Sequence, residues 1–312
     1  MNHLIAGGAG FLGGHLAKSV LDRGGRVVVL DNLITGKKEN IPKGADFIQE
    51  DVSFWGWELP WRVDRVWHLA SPASPPRYRE NPWETIAANT KGTENLVRLA
   101  KENKARFLYA STSEVYGDPE VHPQTEEYKG SVETLGPRAC YDVSKRMGET
   151  IVWEGGQLGV ECRIARIFNT YGTQMDPRDG RVVTNMVGQA LLNKPLTLFG
   201  DGLQTRSFCY VDDMVEGLVA LMESNDLQAT PVNLGNDKEI TMVALADTIE
   251  RVVGSNCGRI EKPLPQDDPQ RRRPDLSRAR RFLSWSPKVE LEDGLRMVVD
   301  WFKEIGASGW EK

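Results

Sequence analysis

Two kinds of hydrophobic spacing alternate along the first half of the chain. Short apolar runs rich in β-branched residues occur at 26–30, 64–69, 106–110 and 162–167. The segments between them carry apolar residues at helical spacing, as at Leu12, Leu16 and Val20. Strand-like runs that alternate with helical segments are typical of βαβ units around a parallel sheet. We therefore predict an α/β fold with a doubly wound parallel sheet, which binds its ligand at the carboxyl ends of the strands.

The hydrophobic pattern changes after about residue 169, where prolines become more frequent and turns lengthen. Helical spacing persists in four segments of this half, at 182–193, 212–223, 242–253 and 291–305. A chain of 312 residues is long enough for one large α/β domain and a smaller lobe. We predict that residues 1–168 form the main domain, and that residues 169–312 form mainly a C-terminal lobe from which some segments return to the sheet.

Composition and charge place the chain among ordinary globular proteins. It is 40% hydrophobic and 27% charged with a net charge of −5, which argues against broad electrostatic binding to nucleic acid or an anionic membrane. No apolar run approaches the roughly 20 residues of a membrane helix, and the chain begins with a strand pattern rather than a signal peptide. The four cysteines are far apart and form no CxxC pair, so we expect reduced thiols, no metal and a cytoplasmic location.

A glycine-rich turn follows the first predicted strand. The spacing Gly8-x-Gly10-x-x-Gly13 fits the general dinucleotide-binding template. With Gly7 as its first member, the turn also fits the short-chain variant of that template. Glycines suit this turn because a pyrophosphate must approach bare backbone, and the next helix N-terminus offers N–H groups and partial positive charge. Such a turn also occurs without a nucleotide, so the interpretation depends on its context.

An acidic residue ends the second predicted strand. Asp31 follows the apolar run 26–30 and lies eighteen residues past Gly13. A carboxylate at this position accepts hydrogen bonds from both ribose hydroxyls and repels a 2′-phosphate, which favours NAD over NADP. Lys37 and Lys38 lie nearby in the sequence and weaken that preference. The strand, the glycine turn, the helix and this acid together predict a Rossmann-like domain that binds NAD.

Two further groups of residues indicate one chemistry. Thr112 and Glu114 directly follow the apolar run 106–110, while Tyr141 and Lys145 are four apart in a helical stretch and share one face. A nearby ammonium lowers the pKa of a tyrosine, which is about 10 when unperturbed. We expect Tyr141 to take a proton from a sugar hydroxyl while the carbon's hydride passes to nicotinamide, with Thr112 hydrogen-bonded to the same oxygen. The YxxxK spacing alone equally fits a pair on a helix surface.

These motifs, in this order, resemble the extended short-chain dehydrogenases/reductases that act on nucleotide sugars. The resemblance covers nearly the whole chain and rests on the segments 7–16, 30–36, 68–76, 89–96, 111–117, 136–145, 165–172, 199–213, 232–236 and 265–274. Within that family the chain is most similar to the UDP-glucuronate decarboxylases, also called UDP-xylose synthases. The narrower match rests on 72–78, 136–142 and 265–275. The chain departs from that subfamily at Ala6, Gly14 and the pair Val143-Ser144, but no catalytic group is lost.

The resemblance implies NAD-dependent decarboxylation of UDP-glucuronate to UDP-xylose and carbon dioxide through a UDP-4-keto intermediate. Residues 1–168 would then form the NAD-binding Rossmann domain and residues 169–312 mainly a substrate-binding lobe. The implied catalytic residues are Thr112, Glu114, Tyr141, Lys145 and Arg206. Contacts with NAD are implied for Gly7, Gly10, Phe11, Leu12, Gly13, Asp31, Asn32, Thr35, Gly36, Asp51, Val52, Leu69, Ala70, Tyr141 and Lys145. Contacts with the UDP-sugar substrate are implied for Pro72, Tyr78, Glu114, Asn169, Val183, Phe199, Gln204, Arg206 and Arg273.

Several of these residues have other interpretations. Four roles are open for Glu114. In the first three it orients the sugar ring, repels the leaving carboxylate or acts through a water at C5; in the fourth it is a structural carboxylate that caps N–H groups. The basic run 271–273 is also typical of a solvated surface, and an apolar residue such as Val183 is also typical of a core. The resemblance further implies a homodimer formed by the helices 82–101 and 141–157, whose apolar stripes equally suit packing within one chain.

Two other classes of function stay open. A nucleotide-sugar 4-epimerase or 4,6-dehydratase has the same fold and cofactor, but a dehydratase usually carries Asp-Glu where this chain has Ser113-Glu114. A noncatalytic NAD-binding protein on this fold often lacks the tyrosine or the lysine, and both are present here as Tyr141 and Lys145.

Overall fold

The structure, a computed structural model, describes residues 1–263 and 271–306, so residues 265–270 of the late basic segment lie outside the described residues. Its strands are β1 (Asn2–Ala6), β2 (Arg26–Leu30), β3 (Asp46–Ile48), β4 (Arg65–His68), β5 (Arg106–Thr112), β6 (Cys162–Ile167), β7 (Thr170–Tyr171), β8 (Leu196–Phe199), β9 (Thr205–Ser207), β10 (Cys209–Tyr210), β11 (Pro231–Leu234), β12 (Glu239–Thr241), β13 (Arg259–Lys262) and β14 (Arg271–Arg272). Its α-helices are α1 (Phe11–Asp22), α2 (Pro75–Glu80), α3 (Pro82–Ala87), α4 (Thr93–Asn103), α5 (Ala139–Gln157), α6 (Val182–Leu191), α7 (Val211–Glu223), α8 (Met242–Val253), α9 (Ser277–Leu283) and α10 (Leu291–Ile305).

The central feature is a seven-stranded sheet in the order β3-β2-β1-β4-β5-β6-β11, in which all neighbouring strands are parallel. This order confirms the predicted Rossmann-like, doubly wound fold. The strand order reverses direction between β1 and β4, and a crevice for a ligand forms at the carboxyl ends of strands at such a point. The glycine turn follows β1 and lies at this crevice. The turn predicted to bind the cofactor is therefore at the position where this fold binds ligands.

Two hydrophobic cores cover the two faces of the sheet. Ile5 and Val29 belong to a core with α1 and α7, whereas their neighbours Leu4 and Val28 belong to a core with α4 and α5. All four side chains are fully buried. Because successive side chains of a strand point to opposite faces, a strand buried on both sides must be apolar throughout. This explains why β1 and β2 appear in the sequence as continuous apolar runs.

The second half of the chain shares both the sheet and a core with the first. β11 pairs with β6 as the last strand of the sheet, as predicted for some segment of this half. Leu245 of α8 and Phe302 of α10 belong to the same buried core as Ile5 of β1. The division of the chain at residue 168 stays a prediction, because packing continues across it.

The helix predicted over 82–101 is interrupted. Between α3 and α4 the chain forms a π-helical turn, Ala88–Gly92. The hydroxyl groups of Thr90 and Thr93 donate to carbonyls one turn earlier, and a Cβ at Gly92 would lie 2.6 Å from a methyl group of Val52. The turn thus fits the helix closely against the loop after β3, a contact that helical spacing in the sequence does not reveal.

Within residues 1–263 and 271–306, no helix has both the length and the apolar character needed to cross a membrane. In the same residues, no three His, Cys, Asp or Glu side chains are grouped so that they could hold a metal ion.

Candidate active site

A cleft of about 1020 Å³ opens at the carboxyl edge of the sheet. The glycine turn, the ends of β4, β5 and β6, and parts of α6, β8 and β9 line it. Its lining includes the predicted residues Gly7, Gly10, Phe11, Leu12, Gly13, Thr35, Leu69, Tyr78, Thr112, Glu114, Tyr141, Lys145, Asn169, Val183, Phe199, Gln204 and Arg206. A smaller pocket that shares the glycine turn is lined by the predicted residues Asp31, Asn32, Val52, Ala70 and Pro72. The fold therefore brings together residues that are up to about two hundred positions apart in the chain.

The glycine turn fits a dinucleotide. The φ angle of Gly7 is +82°, a conformation that favours glycine, and a Cβ on Gly13 would lie 2.0 Å from the Gly7 carbonyl oxygen. This close contact places the N-terminus of α1 against the turn, with Gly10 as its N-cap and no acidic residue in its first turn. Unpaired N–H groups at such a terminus, without a competing carboxylate, suit a pyrophosphate.

Asp31 is held in the orientation that a ribose contact requires. Its carboxylate oxygens accept hydrogen bonds from the N–H groups of Ala9 at 3.0 Å and Leu33 at 2.8 Å. Burial raises the pKa of Asp31, and these two N–H donors oppose that rise. The Lys37 ammonium lies 3.4 Å from an Asp176 oxygen, so this lysine is paired away from a 2′-phosphate site. The residues present thus fit NAD.

Gly36 and Asp51 lie behind these contacts rather than in the lining. A Cβ on Gly36 would approach a carboxylate oxygen of Asp31 to 2.8 Å, and Asp51 accepts a hydrogen bond of 2.6 Å from the Asn32 side chain. Pro72, predicted to contact the sugar, lines the smaller pocket with Asp31 instead of the main cleft. The NAD contacts of Gly36 and Asp51 and the substrate contact of Pro72 stay predictions.

Tyr141 and Lys145 lie one turn apart on α5, both buried. The Lys145 ammonium donates a 2.7 Å hydrogen bond to the Ala110 carbonyl and lies 5.7 Å from the centre of the Tyr141 ring. Burial lowers the pKa of Lys145 to about 7. Burial also raises the pKa of Tyr141, and a hydrogen bond with Thr112 opposes the rise. The expected lowering of the Tyr141 pKa is therefore wrong for the chain alone, because burial disfavours the phenolate more strongly than its neighbours favour it.

Glu114 lies at the start of a 3₁₀ turn, Ser113–Tyr116, directly after β5. The Thr112 side chain accepts from the Glu114 N–H at 3.2 Å, so Thr112 is the cap of this turn and Glu114 is not. The carboxylate of Glu114 accepts two hydrogen bonds from Arg272, at 2.5 and 2.8 Å, and one from Arg138. Burial by itself would raise the pKa of Glu114, but the two guanidinium groups outweigh it and hold that pKa below its usual range.

The basic run 271–273 contributes a different arginine from the one predicted. Arg272 is buried and lines the cleft. Among the described residues the lining does not include Arg273, whose guanidinium lies 3.8 Å from a Glu239 oxygen. Adjacent residues of an extended segment point to opposite sides, and Arg272 pairs in register with Arg206 of β9. The contact of Arg273 with substrate stays a prediction, and Arg272 is a residue that sequence reasoning missed.

Arg138 is the second residue that sequence reasoning missed. It lies one turn before Asp142 at the start of α5, and its side chain bonds Glu114. The segment 136–142 carries part of the narrower family match, so the sequence held a signal for this position. Nothing in the sequence, however, indicates that Arg138, Arg272 and Glu114 meet in space.

Tyr78 packs directly on the tyrosine at the centre of the site. The rings of Tyr78 and Tyr141 are stacked, with centres 5.1 Å apart and planes 8° from parallel. Burial raises the pKa of Tyr78 to about 12, so its hydroxyl is a neutral donor. This contact agrees with a role for Tyr78 in the site, although its predicted bond to substrate is untested.

The sheet, the glycine turn and the Tyr–Lys pair define a dinucleotide-dependent enzyme that works on an alcohol. The profile of the NAD dependent epimerase/dehydratase family matches residues 3–235, and the chain belongs to that family. This confirms the resemblance to extended short-chain dehydrogenases/reductases.

Within this family the chain is similar to several named proteins and solved structures. The chain is 50% identical to UDP-glucuronic acid decarboxylase 1 of Danio rerio, over 96% of this chain and 72% of that protein. It is 48% identical to UDP-glucuronic acid decarboxylase 3 of Arabidopsis thaliana, over 97% of this chain and 89% of that protein. Among solved structures it is similar to UDP-glucose 4-epimerase of Thermotoga maritima with UDP-glucose, with a TM-score of 0.89, 28% identity and coverage of 98% and 99%. The UDP-glucuronic acid 4-epimerase of Bacillus cereus, in complex with UDP-glucuronic acid and NAD, has a TM-score of 0.85, 28% identity and coverage of 98% and 100%.

Proposed function

We propose that the protein is a UDP-glucuronate decarboxylase, which converts UDP-glucuronate to UDP-xylose and carbon dioxide with NAD as a catalytic cofactor. The observation that carries the proposal is the partly buried Glu114–Arg272 pair near Tyr141, in a chain 50% identical to a UDP-glucuronic acid decarboxylase over 96% of its length. Guanidinium groups in a site that also holds a proton-abstracting tyrosine suit a sugar acid better than a neutral sugar.

The reaction begins at the C4 hydroxyl of the sugar. Tyr141 removes the hydroxyl proton, and Thr112 hydrogen-bonds the same oxygen. When bound, NAD supplies the acceptor for the C4 hydride and returns that hydride in the last step. Lys145 lies 5.7 Å from the centre of the Tyr141 ring, and in its ammonium form it favours the Tyr141 phenolate.

Loss of carbon dioxide follows from the ketone at C4. The C6 carboxylate is then β to a carbonyl group, and the electrons of the C5–C6 bond flow into an enolate as carbon dioxide leaves. Tyr141, now protonated, donates a hydrogen bond to the enolate oxygen. C5 then takes a proton from solvent water. The hydride returns to C4 while Tyr141 gives its proton to the C4 oxygen, which yields the pentose and regenerates the cofactor.

The charged residues of the cleft bind and orient the substrate. Arg206 and Arg272 line the cleft, and their forked donors suit a diphosphate or a carboxylate. Glu114 is ionised and bonded to two arginines, so it is a poor source of a proton for C5. We assign it instead to orienting the sugar ring, because its charge is already balanced by the two guanidinium groups.

A 4-epimerase is the second candidate, because solved structures similar in shape include epimerases, one of them in complex with UDP-glucuronic acid. A proton NMR time course with UDP-glucuronate, with and without added NAD, separates the two. We expect UDP-xylose signals and loss of the substrate H5 resonance. Formation of UDP-galacturonate would establish an epimerase instead, and no reaction with added NAD would contradict both.

Replacing Arg272 with lysine is expected to lower kcat/KM for UDP-glucuronate. Lysine keeps the charge but cannot make the two parallel bonds to Glu114, and a charge-assisted hydrogen bond contributes about 1.5–3 kcal/mol. That loss corresponds to roughly a 10- to 150-fold decrease, measured from initial rates at saturating NAD. Arg271→Lys, at the exposed neighbouring position of β14, is the matched control. Equal kcat/KM for Arg272→Lys and the control would contradict the assignment.

We propose that the protein is a homodimer that associates through α3 and α5. These helices contact each other within the chain, yet they leave large apolar side chains in solvent. Trp83 is 77% exposed, Met147 50% and Trp153 49%. Several large exposed apolar side chains on two helices that contact each other support an interface between two copies, because single exposed apolar residues need no explanation.

Replacing Met147 with glutamate is expected to convert the dimer to a monomer of 34.9 kDa. The substitution places a charge on a side chain that the interface would bury, which opposes association. Sedimentation or light scattering gives the mass directly. Met297→Glu, at a partly exposed methionine of α10, should leave the mass unchanged. A monomeric wild-type protein would contradict the proposal.

A further inference from the structure

A third residue continues the line of Tyr141 and Lys145 along α5. Glu149 lies four residues after Lys145, so all three share one face of the helix. One Glu149 oxygen accepts from the Ser111 hydroxyl at 2.6 Å and from Arg166 at 2.9 Å, and the other accepts from Arg166 at 2.7 Å. The carboxylate is thus fixed between helix α5 and strands β5 and β6.

Glu149 lies one helical turn after Lys145 and brings a negative charge to the same face of α5. The Lys145 ammonium lies 4.9 Å from the centre of the Tyr109 ring, and Tyr141 faces it from the same helix. His68 of β4 is neutral, because burial and then the charge of Lys145 lower its pKa to about 3. Glu149 is the carboxylate whose negative charge raises the pKa of Lys145 against the larger effect of burial.

Arg166 competes with Lys145 for that negative charge. Its guanidinium pairs with Glu149 and also donates to the Tyr116 hydroxyl at 3.0 Å and the Glu126 carbonyl at 3.1 Å. A carboxylate that is bonded to a guanidinium acts more weakly on a second cation than a solitary one does. The charge of Glu149 is therefore divided between the two.

We propose that Glu149 is a positioning residue of the reaction: it keeps Lys145 in the ammonium form, and Arg166 limits how strongly it does so. This role rests on the proposed function only in that Lys145 serves Tyr141 during oxidation at C4. The hydrogen bond to Ser111 adds a second effect, because Ser111 precedes Thr112 and ties the carboxylate to the same end of β5.

The proposal predicts that substitutions of Glu149 and of Arg166 shift the pKa of Lys145 in opposite directions. The Lys145 ammonium is lost as the pH rises through its pKa, so activity falls on the alkaline side. Removal of the Glu149 charge in Glu149→Gln lowers that pKa and moves the fall to lower pH, by about one unit for the loss of an opposite charge at short range. Arg166→Gln leaves the full charge of Glu149 to Lys145 and moves the fall to higher pH.

Two measurements test these shifts. The first is the pH profile of kcat/KM for UDP-glucuronate at saturating NAD. The second is a carbon-13 NMR titration of the Lys145 ε-methylene in lysine-labelled protein, with and without NAD, in which Lys145→Arg identifies the resonance. Glu304→Gln, an exposed glutamate of α10, is the matched control and should change neither. The titration reads the charge of Lys145 without any turnover.

The double variant Glu149→Gln with Arg166→Gln guards against misfolding of a single variant, since it leaves no unpaired buried charge. It should titrate at Lys145 like Glu149→Gln, because Arg166 acts through Glu149. A uniform loss of activity at every pH with an unchanged Lys145 titration would overturn the proposal. A wild-type protein that forms no UDP-xylose, but whose Lys145 shifts as expected, would overturn the decarboxylase assignment and leave the role of Glu149 standing.

Discussion

Replacing Tyr141 with phenylalanine is expected to abolish formation of UDP-xylose. The phenol hydroxyl is the base in the first step and the hydrogen-bond donor to the enolate, and acid–base catalysis by one side chain contributes about 10²- to 10⁴-fold. Since the same group acts in both steps, we expect a loss at the upper end of that range, at least roughly a thousandfold. The rate of UDP-xylose formation, followed by proton NMR, measures it.

The substitution should leave the rest of the site intact. Phenylalanine keeps the ring that stacks on Tyr78, so thermal stability should match that of the wild type. Tyr128→Phe removes a phenol that does not line the cleft and serves as the control. If Tyr141→Phe retained a tenth or more of wild-type kcat, with the base effect worth about 10²-fold at least, Tyr141 would not be the base.

Replacing Gly13 with alanine is expected to remove tight NAD binding. The new Cβ would lie 2.0 Å from the Gly7 carbonyl oxygen, which is backbone and cannot rotate away. The N-terminus of α1 must therefore move from the turn, and overpacking of this kind costs about 1–3 kcal/mol or more. We expect NAD affinity to fall roughly five- to more than a hundredfold, since each 1.4 kcal/mol is tenfold. Calorimetric titration with NAD measures it.

Substitution of a second glycine, Gly254, is the control that separates an effect on NAD binding from an effect on stability. Gly254 ends α8 with a φ of +77°, and no atom lies within 4 Å of an added Cβ. Gly254→Ala should lower thermal stability slightly, by about 1 kcal/mol, with unchanged NAD affinity. Wild-type NAD affinity in Gly13→Ala would show that the turn tolerates displacement of α1 and would contradict the site.

The sequence predicts the elements that are long or buried on both faces. β2, β6, α8 and α10 begin and end where the apolar pattern indicates, because one face or both must be apolar to enter the core. β3 is not predicted, since an edge strand of three residues with two partly buried side chains carries little periodicity. The π-helical turn Ala88–Gly92 was missed because its cause is contact with a distant loop.

In the candidate site too, residues in local motifs are predictable from the sequence, whereas residues that act through contacts across the fold are not. Tyr141, Lys145 and Glu114 lie in motifs with fixed local spacing, and the structure brings them into one cleft. Arg138 and Arg272 were missed because their role depends on pairing across the fold, from α5 and β14 to Glu114. The direction of the Tyr141 pKa was wrong for the same reason, because the sequence states the neighbours of a side chain but not its burial.

The return of β11 to the sheet limits how this protein can be recombined. A hybrid that exchanges everything after residue 168 for the equivalent part of a relative would also replace the strand that closes the edge of the sheet beside β6. In such a hybrid, the relative's strand at this position would have to pair and pack with β6 of this protein. Substrate preference is therefore better exchanged between relatives by replacing short segments around the cleft. Glu114 and Arg272 should be replaced together, because they form an ion pair.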